Sequence, residues 1–146
     1  MDKRKKAQWV VSGVVEAPVE KVWQALLDSN DYLTAADRQT IARDGKLTTT
    51  IGKPSQGKIT IEVDAKQHSI ATQGEWWYRG VQSVEPHARG SLLTYRVYNI
   101  APGIGWWAAQ LVQGREHARV MQDTLQASLE AIGKKLGVAV APHALT

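Results

Sequence analysis

The chain has 146 residues, no cysteine and a formal net charge of +4; this length suits one domain with a hydrophobic core, and the lack of cysteine excludes disulfides and thiolate metal sites. No apolar run is long enough to span a membrane, and no apolar signal region follows the basic amino terminus, so we expect a cytoplasmic protein. Four basic residues and one acidic residue lie between Asp2 and Lys6, which leaves the rest of the chain nearly neutral and argues against a nucleic-acid-binding surface.

The first two elements are a strand and the helix that follows it directly. Side chains in Trp9–Val15 alternate with the period of a β-strand. Pro18 suits the first position of a helix, and from there to Asp28 the apolar residues recur with the i, i+3, i+4 spacing of a helix that packs on a core. We therefore predict one strand and one short amphipathic helix, with a sharp break at Ala17.

The middle of the chain predicts a second short helix and then a run of antiparallel strands. The second helix is expected around Tyr32–Ala36. Asp44-Gly45 is a good two-residue hairpin turn, and it predicts a strand on each side, at Gln39–Arg43 and at Lys46–Ile51. Alternation and turn residues predict four more strands, which are Lys58–Asp64, His68–Gly74, Trp76–Glu85 and Ser91–Ile100.

The last predicted element is a long amphipathic helix at Ile104–Leu136. At 1.5 Å per residue it is about 50 Å long, which is long enough to cross a strongly curved sheet. Its apolar stripe consists of Leu111, Gly114, Ala118, Met121, Leu125, Ile132 and Leu136. We expect residues 1–7 to form a basic disordered tail, residues 8–137 to form one domain, and residues 138–146 to form a loose carboxyl-terminal tail.

Two segments and the order of elements resemble a known superfamily. The segments are V-V-E-A-P-V-E-K-V-W-Q-A-L-L-D at Val14–Asp28 and G-V-Q-S-V-E-P-H-A-R-G-S-L-L-T-Y-R-V at Gly80–Val97. They resemble the SRPBCC superfamily, which includes START domains, the birch-pollen-allergen family and the polyketide cyclase/dehydrase family. The resemblance implies the α+β helix-grip fold, in which about seven antiparallel strands curve around the carboxyl-terminal helix and two short helices follow the first strand. The chain departs from the family pattern after Tyr32, where many members carry a Trp-Pro element.

Several aromatic and small residues are predicted to line a cavity between sheet and helix. An apolar cavity with a few convergent polar groups is the usual form of a small-molecule site. The strand phases place the aromatic residues inward, and glycine on the helix allows close approach. The candidate ligand-binding residues are Trp76, Tyr78, Tyr95, Val97, Leu111, Gly114, His117, Ala118 and Met121. Ordinary core packing is the alternative for each of them, and it is the preferred interpretation for Trp9 and Trp23.

Neither a metal ion nor another cofactor is expected, and two functions remain open. His68, His87, His117 and His143 lack the spacing of metal ligands. The first function is the binding of a small hydrophobic ligand of polyketide, lipid or isoprenoid type. The alternative is a polyketide cyclase/dehydratase-type enzyme in which Tyr95 or His117 is the catalytic general acid or base, although a lone histidine beside an apolar face is more often structural.

The expected partner is therefore a small hydrophobic molecule. We expect no nucleic acid, no stable membrane insertion, and a monomer or a homodimer. A third possibility, an interaction module that binds a protein or a lipid at the cavity opening, has only the basic tail in its favour. The helical rotation that would point Arg115 or Glu116 into the cavity is left open by the sequence.

Overall fold

Seven antiparallel strands form one curved, open sheet in the computed structural model, which describes residues 7–52, 57–74, 78–101 and 103–143, without the side chains of residues 110–116, 118 and 143. The elements are β1 Ala7–Val15, α1 Val19–Asp28, α2 Ala35–Asp44, β2 Lys46–Ile51, β3 Ile59–Asp64, β4 Ser69–Gln73, β5 Tyr78–His87, β6 Gly90–Asn99, α3 Ile104–Leu136 and β7 Val140–His143. The strand order is β2-β3-β4-β5-β6-β1-β7. The predicted α+β helix-grip architecture is confirmed.

The long helix α3 packs mainly on β1, β6, β7 and α1, and its predicted bounds are confirmed. A Cβ atom at Gly13 of β1 would overlap the side chain of Leu129, so the glycine lets the helix approach the sheet closely. Met121, Leu125, Leu129 and Ile132 are all buried along this contact. Gly13 and the residues of the same parity therefore face α3, and we call this face of the sheet the inner face. No helix in the described residues is long and apolar enough to cross a membrane.

The prediction of a strand at Gln39–Arg43 is wrong, because this segment belongs to α2. A capping box starts the helix: the Asp37 amide donates to the Thr34 hydroxyl at 3.1 Å, and the Thr34 amide donates to the Asp37 carboxylate at 2.9 Å. Gly45, with φ of 74°, ends the helix in the left-handed conformation. The Asp-Gly pair is thus a helix terminus and not a hairpin turn.

The prediction of a loose tail after Gly137 is also wrong for the described part of that tail. Gly137 ends α3 with φ of 67°, and the chain then turns back along the sheet. Val140–His143 pairs antiparallel with β1 as strand β7, with Val140 opposite Val15. The added strand satisfies backbone groups at the edge of β1, which explains why a short segment without a strong strand pattern is ordered here.

Candidate ligand-binding cleft

A cleft of about 670 Å³ lies between the inner face of the sheet, the turn that joins α1 to α2, and α3. Its floor is formed by β3 to β6 and combines aliphatic side chains with phenols and small neutral polar groups, namely Ile59, Ile70, Thr72, Gly74, Tyr78, Gly80, Gln82 and Tyr95. Its mouth is formed by Ser29–Tyr32 and by Thr124 of α3. The cleft exists because α3 covers mainly the β6, β1 and β7 side of the sheet.

The turn at the cleft mouth is held in place by hydrogen bonds to its backbone. The Arg38 guanidinium of α2 donates to the carbonyl oxygen of Asn30 at 3.3 Å and to that of Leu27 at 3.5 Å. These carbonyls lie at the carboxyl end of α1, where a cation is favourable. The Tyr32 amide donates to the Asn30 side-chain oxygen at 2.9 Å. The Tyr32 side chain is 49% exposed and forms part of the rim.

Two phenols meet on the floor of the cleft. The hydroxyls of Tyr78 and Tyr95 are hydrogen-bonded to each other. Burial raises the pKa of Tyr78, and the nearby Tyr95 raises it further. Burial also raises the pKa of Tyr95, although its hydrogen bond with Tyr78 acts in the opposite direction. Both phenols are therefore neutral at physiological pH and act as hydrogen-bonding groups.

His117 of α3 lies beside this pair. Its ring makes an edge contact with Tyr78, with 5.9 Å between the ring centroids, and another with Trp9 at 5.0 Å. Burial lowers the pKa of His117, because the charged imidazolium is disfavoured away from water. The imidazole is thus neutral at pH 7 and packs as an aromatic ring between β1 and β5.

Two other histidines stabilise the fold away from the cleft. The His68 ring is hydrogen-bonded to the Glu20 carboxylate at 2.8 Å and lies edge-on to Trp23, so it joins the end of β4 to α1. His87 accepts a hydrogen bond from the Arg89 amide at 3.1 Å in the turn between β5 and β6. Both arrangements are structural, and neither residue belongs to the described lining of the cleft.

A second, smaller cleft of about 370 Å³ continues from the first one between α1 and α3. The two clefts share Ser29, Asn30, Gln82 and Thr124. Beyond these residues the smaller cleft is lined by the buried side chains of Leu26 and Ile132 and by three small residues of α3, which are Ala127, Ser128 and Ala131. The two clefts therefore adjoin each other at these shared polar residues.

The predicted site residues occupy different environments in the structure. Tyr78 and Tyr95 line the cleft, and His117 is next to Tyr78. Val97 and Met121 are fully buried in the core. The remaining candidates, which are Trp76 and the side chains of Leu111, Gly114 and Ala118, lie outside the described residues.

Sequence reasoning missed Gln82, Thr72 and the mouth of the cleft. Gln82 has the same strand parity as Tyr78 and lies directly opposite Tyr95 in the sheet, so parity alone was enough to place it on the inner face. Thr72 is opposite Gly80 on the same face, and the alternation of its strand carried the same signal. The mouth at Asn30 had no such signal, because its position depends on how α1 and α2 pack.

Neither the scan of protein-family models nor the search of curated proteins gives a match for this chain. Among solved structures, the Thermus thermophilus protein TTHA0849 is similar at 12% identity and a TM-score of 0.44, over 86% of this chain and 94% of that one. The Zhui aromatase/cyclase from Streptomyces sp. R1128 is similar at 15% identity and a TM-score of 0.41, over 87% of this chain and 94% of that one. At these TM-scores and identities, neither structure carries an argument about the function of this chain.

Proposed function

We propose that this chain is a divergent SRPBCC protein that binds a small, largely apolar ligand in the cleft between the sheet and α3. The cleft itself carries this proposal. Its volume of about 670 Å³ is typical of sites for small molecules. Its lining combines the apolar surface of the isoleucines and tyrosine rings with neutral hydrogen-bonding groups. Buried aliphatic side chains such as Ile70 provide the apolar contact.

The polar groups of the described lining favour an uncharged ligand. The polar side chains on the floor are all neutral, and they belong to Tyr78, Tyr95, Thr72 and Gln82. The one charged residue in the described lining is Asp31, which is exposed at the mouth. An ionised ligand group would lose its hydration on the floor, and no residue in the described part of the floor carries an opposite charge to compensate. The adjoining smaller cleft lengthens the space, so elongated molecules of polyketide, lipid or isoprenoid type fit this site.

Binding is favoured over the alternative, a polyketide cyclase/dehydratase-type enzyme. Efficient general acid–base catalysis needs a group whose pKa is near the operating pH. Burial moves the pKa of Tyr95 up and that of His117 down, away from neutrality in both cases. Tyr95 and His117 are therefore better suited to holding a ligand than to transferring its protons. A cytoplasmic location and a monomeric or homodimeric state remain predictions alongside this function.

The proposal is tested with a neutral fluorescent probe, N-phenyl-1-naphthylamine, and a pair of matched variants. Thr72→Phe adds a ring on the inner face, inside the cleft, whereas Thr60→Phe adds the same ring on the outer face of the neighbouring strand β3. We expect Thr72→Phe to weaken probe binding by about tenfold or more, because the added ring occupies part of the cleft floor that the probe would contact, and the probe can enter only with strain. Thr60→Phe should bind as the wild type does. Equal affinities for the two variants would contradict the location of the site.

A further inference from the structure

The phenol pair depends on a glycine that lies beneath it. Tyr78 and Tyr95 belong to rows of the sheet that are four residues apart along the strands, with the Gly80–Val97 row between them. This separation is about 13 Å along the strands, so each phenol must lean toward the other across Gly80. A Cβ atom at Gly80 would overlap the Tyr78 hydroxyl and lie 3.0 Å from Cε1 of Tyr95. The missing side chain therefore allows the two hydroxyls to meet above the cleft floor.

The pair has more donor capacity than the contact between its members uses. Each phenol carries one O–H proton, and the Tyr78–Tyr95 hydrogen bond requires one of the two. When Tyr78 donates to Tyr95, the Tyr95 hydroxyl can donate its own proton to a third group. Tyr95 is 8% exposed and lines the cleft, so a ligand in the cleft is in a position to supply that group.

We propose that the Tyr78–Tyr95 pair selects neutral ligands that carry an oxygen acceptor, such as a ketone or ether, on the end that reaches the cleft floor. This inference rests on the proposed binding function and specifies its ligand class. A ketone oxygen accepts a hydrogen bond without bringing a charge to the cleft floor. A carboxylate is disfavoured, because the exposed Asp31 at the mouth is itself an anion and the described lining offers no cation.

Two probes of nearly equal shape test this selection. 2-Acetonaphthone carries a ketone oxygen, and 2-isopropenylnaphthalene has a CH₂ group in its place. Their dissociation constants are measured by equilibrium dialysis with the wild type, with Tyr95→Phe, and with Tyr98→Phe as the control. Tyr98 lies on the same strand but on the outer face, opposite Arg79.

We expect Tyr95→Phe to weaken binding of the ketone by roughly 3- to 10-fold, which is the usual effect of one neutral hydrogen bond. The same variant should leave the binding of 2-isopropenylnaphthalene unchanged, and Tyr98→Phe should change neither affinity. An equal effect of Tyr95→Phe on both probes would overturn the inference, and so would an unchanged affinity for the ketone in the double variant Tyr78→Phe/Tyr95→Phe, which leaves neither hydroxyl to donate.

A second measurement on the wild type does not depend on any variant. The carbonyl stretch of bound 2-acetonaphthone should lie at lower frequency than in hexane, because a hydrogen bond weakens the C=O bond. An unshifted carbonyl band would overturn the inference even if the ketone binds. If the wild type binds N-phenyl-1-naphthylamine but not the ketone, the inference fails alone. If it binds none of the three probes, the proposed binding function fails as well.

Discussion

Removing the hydroxyls of Tyr78 and Tyr95, singly and together, should have strongly non-additive effects on stability. Tyr95 is buried and its hydroxyl is bonded to that of Tyr78. Tyr78→Phe removes this partner and leaves the Tyr95 hydroxyl in a largely desolvated position. Tyr95→Phe removes the same hydrogen bond from the other side. The double variant removes both hydroxyls, so neither remains to be satisfied.

The expected size of the effect follows from this geometry. A neutral hydrogen bond contributes about 0.5–1.5 kcal/mol, and a buried polar group that loses its partner costs about 1–3 kcal/mol. Because the cleft is open at its mouth, water can compensate part of the lost hydrogen bonding. We therefore expect each single variant to lower the free energy of unfolding by about 1–2 kcal/mol. The double variant should lower the free energy of unfolding by about as much as one single variant does. The resulting coupling energy is about 1 kcal/mol or more, within the range for residues in contact.

The assay is urea unfolding followed by tryptophan fluorescence, with the slope of the transition checked for constancy across the variants. A second cycle with Tyr78→Phe and Tyr98→Phe is the control, since Tyr98 lies on the outer face of the sheet. Its effects should add within about 0.5 kcal/mol. If the effects of Tyr78→Phe and Tyr95→Phe on the free energy of unfolding also added this closely, the two hydroxyls would not form an energetically significant pair.

Two further predictions concern α3. Burial lowers the pKa of His117, so as the pH falls below about 6.5 the unfolded state binds the proton first and the native state loses stability. Between pH 7 and pH 4 the urea midpoint should therefore fall less steeply for His117→Gln than for the wild type. An unchanged slope, or an equal change in the His87→Gln control, would contradict this. Leu129→Ala leaves a cavity against Gly13 and should destabilise the fold by about 2.5–5 kcal/mol. The exposed neighbour is the control: Glu130→Ala should stay within about 0.5 kcal/mol of the wild type, and similar losses for both variants would refute the close contact between α3 and β1.

The sequence predicted the elements whose signal is local and repeated. The change from alternation to helical spacing at Ala17 located β1 and α1, and the apolar stripe of Ile104–Leu136 located α3 with its observed bounds. It failed at Gln39–Arg43, where an Asp-Gly pair terminates a helix and does not turn a hairpin. It failed again at Val140–His143, where the strand exists because the edge of β1 is available for pairing.

The candidate site divides in the same way. Strand parity alone determined that Tyr78 and Tyr95 share the inner face, because side chains alternate along a strand whatever its neighbours are. The hydrogen bond between them was decided by tertiary structure, since it requires the register that places the Gly80–Val97 row between the two phenols. The mouth around Asn30 likewise depends on Arg38 of α2 reaching the end of α1. Periodicity is a property of neighbouring residues, whereas register and helix placement result from packing between segments that are distant in the chain, and the cleft is formed by that packing.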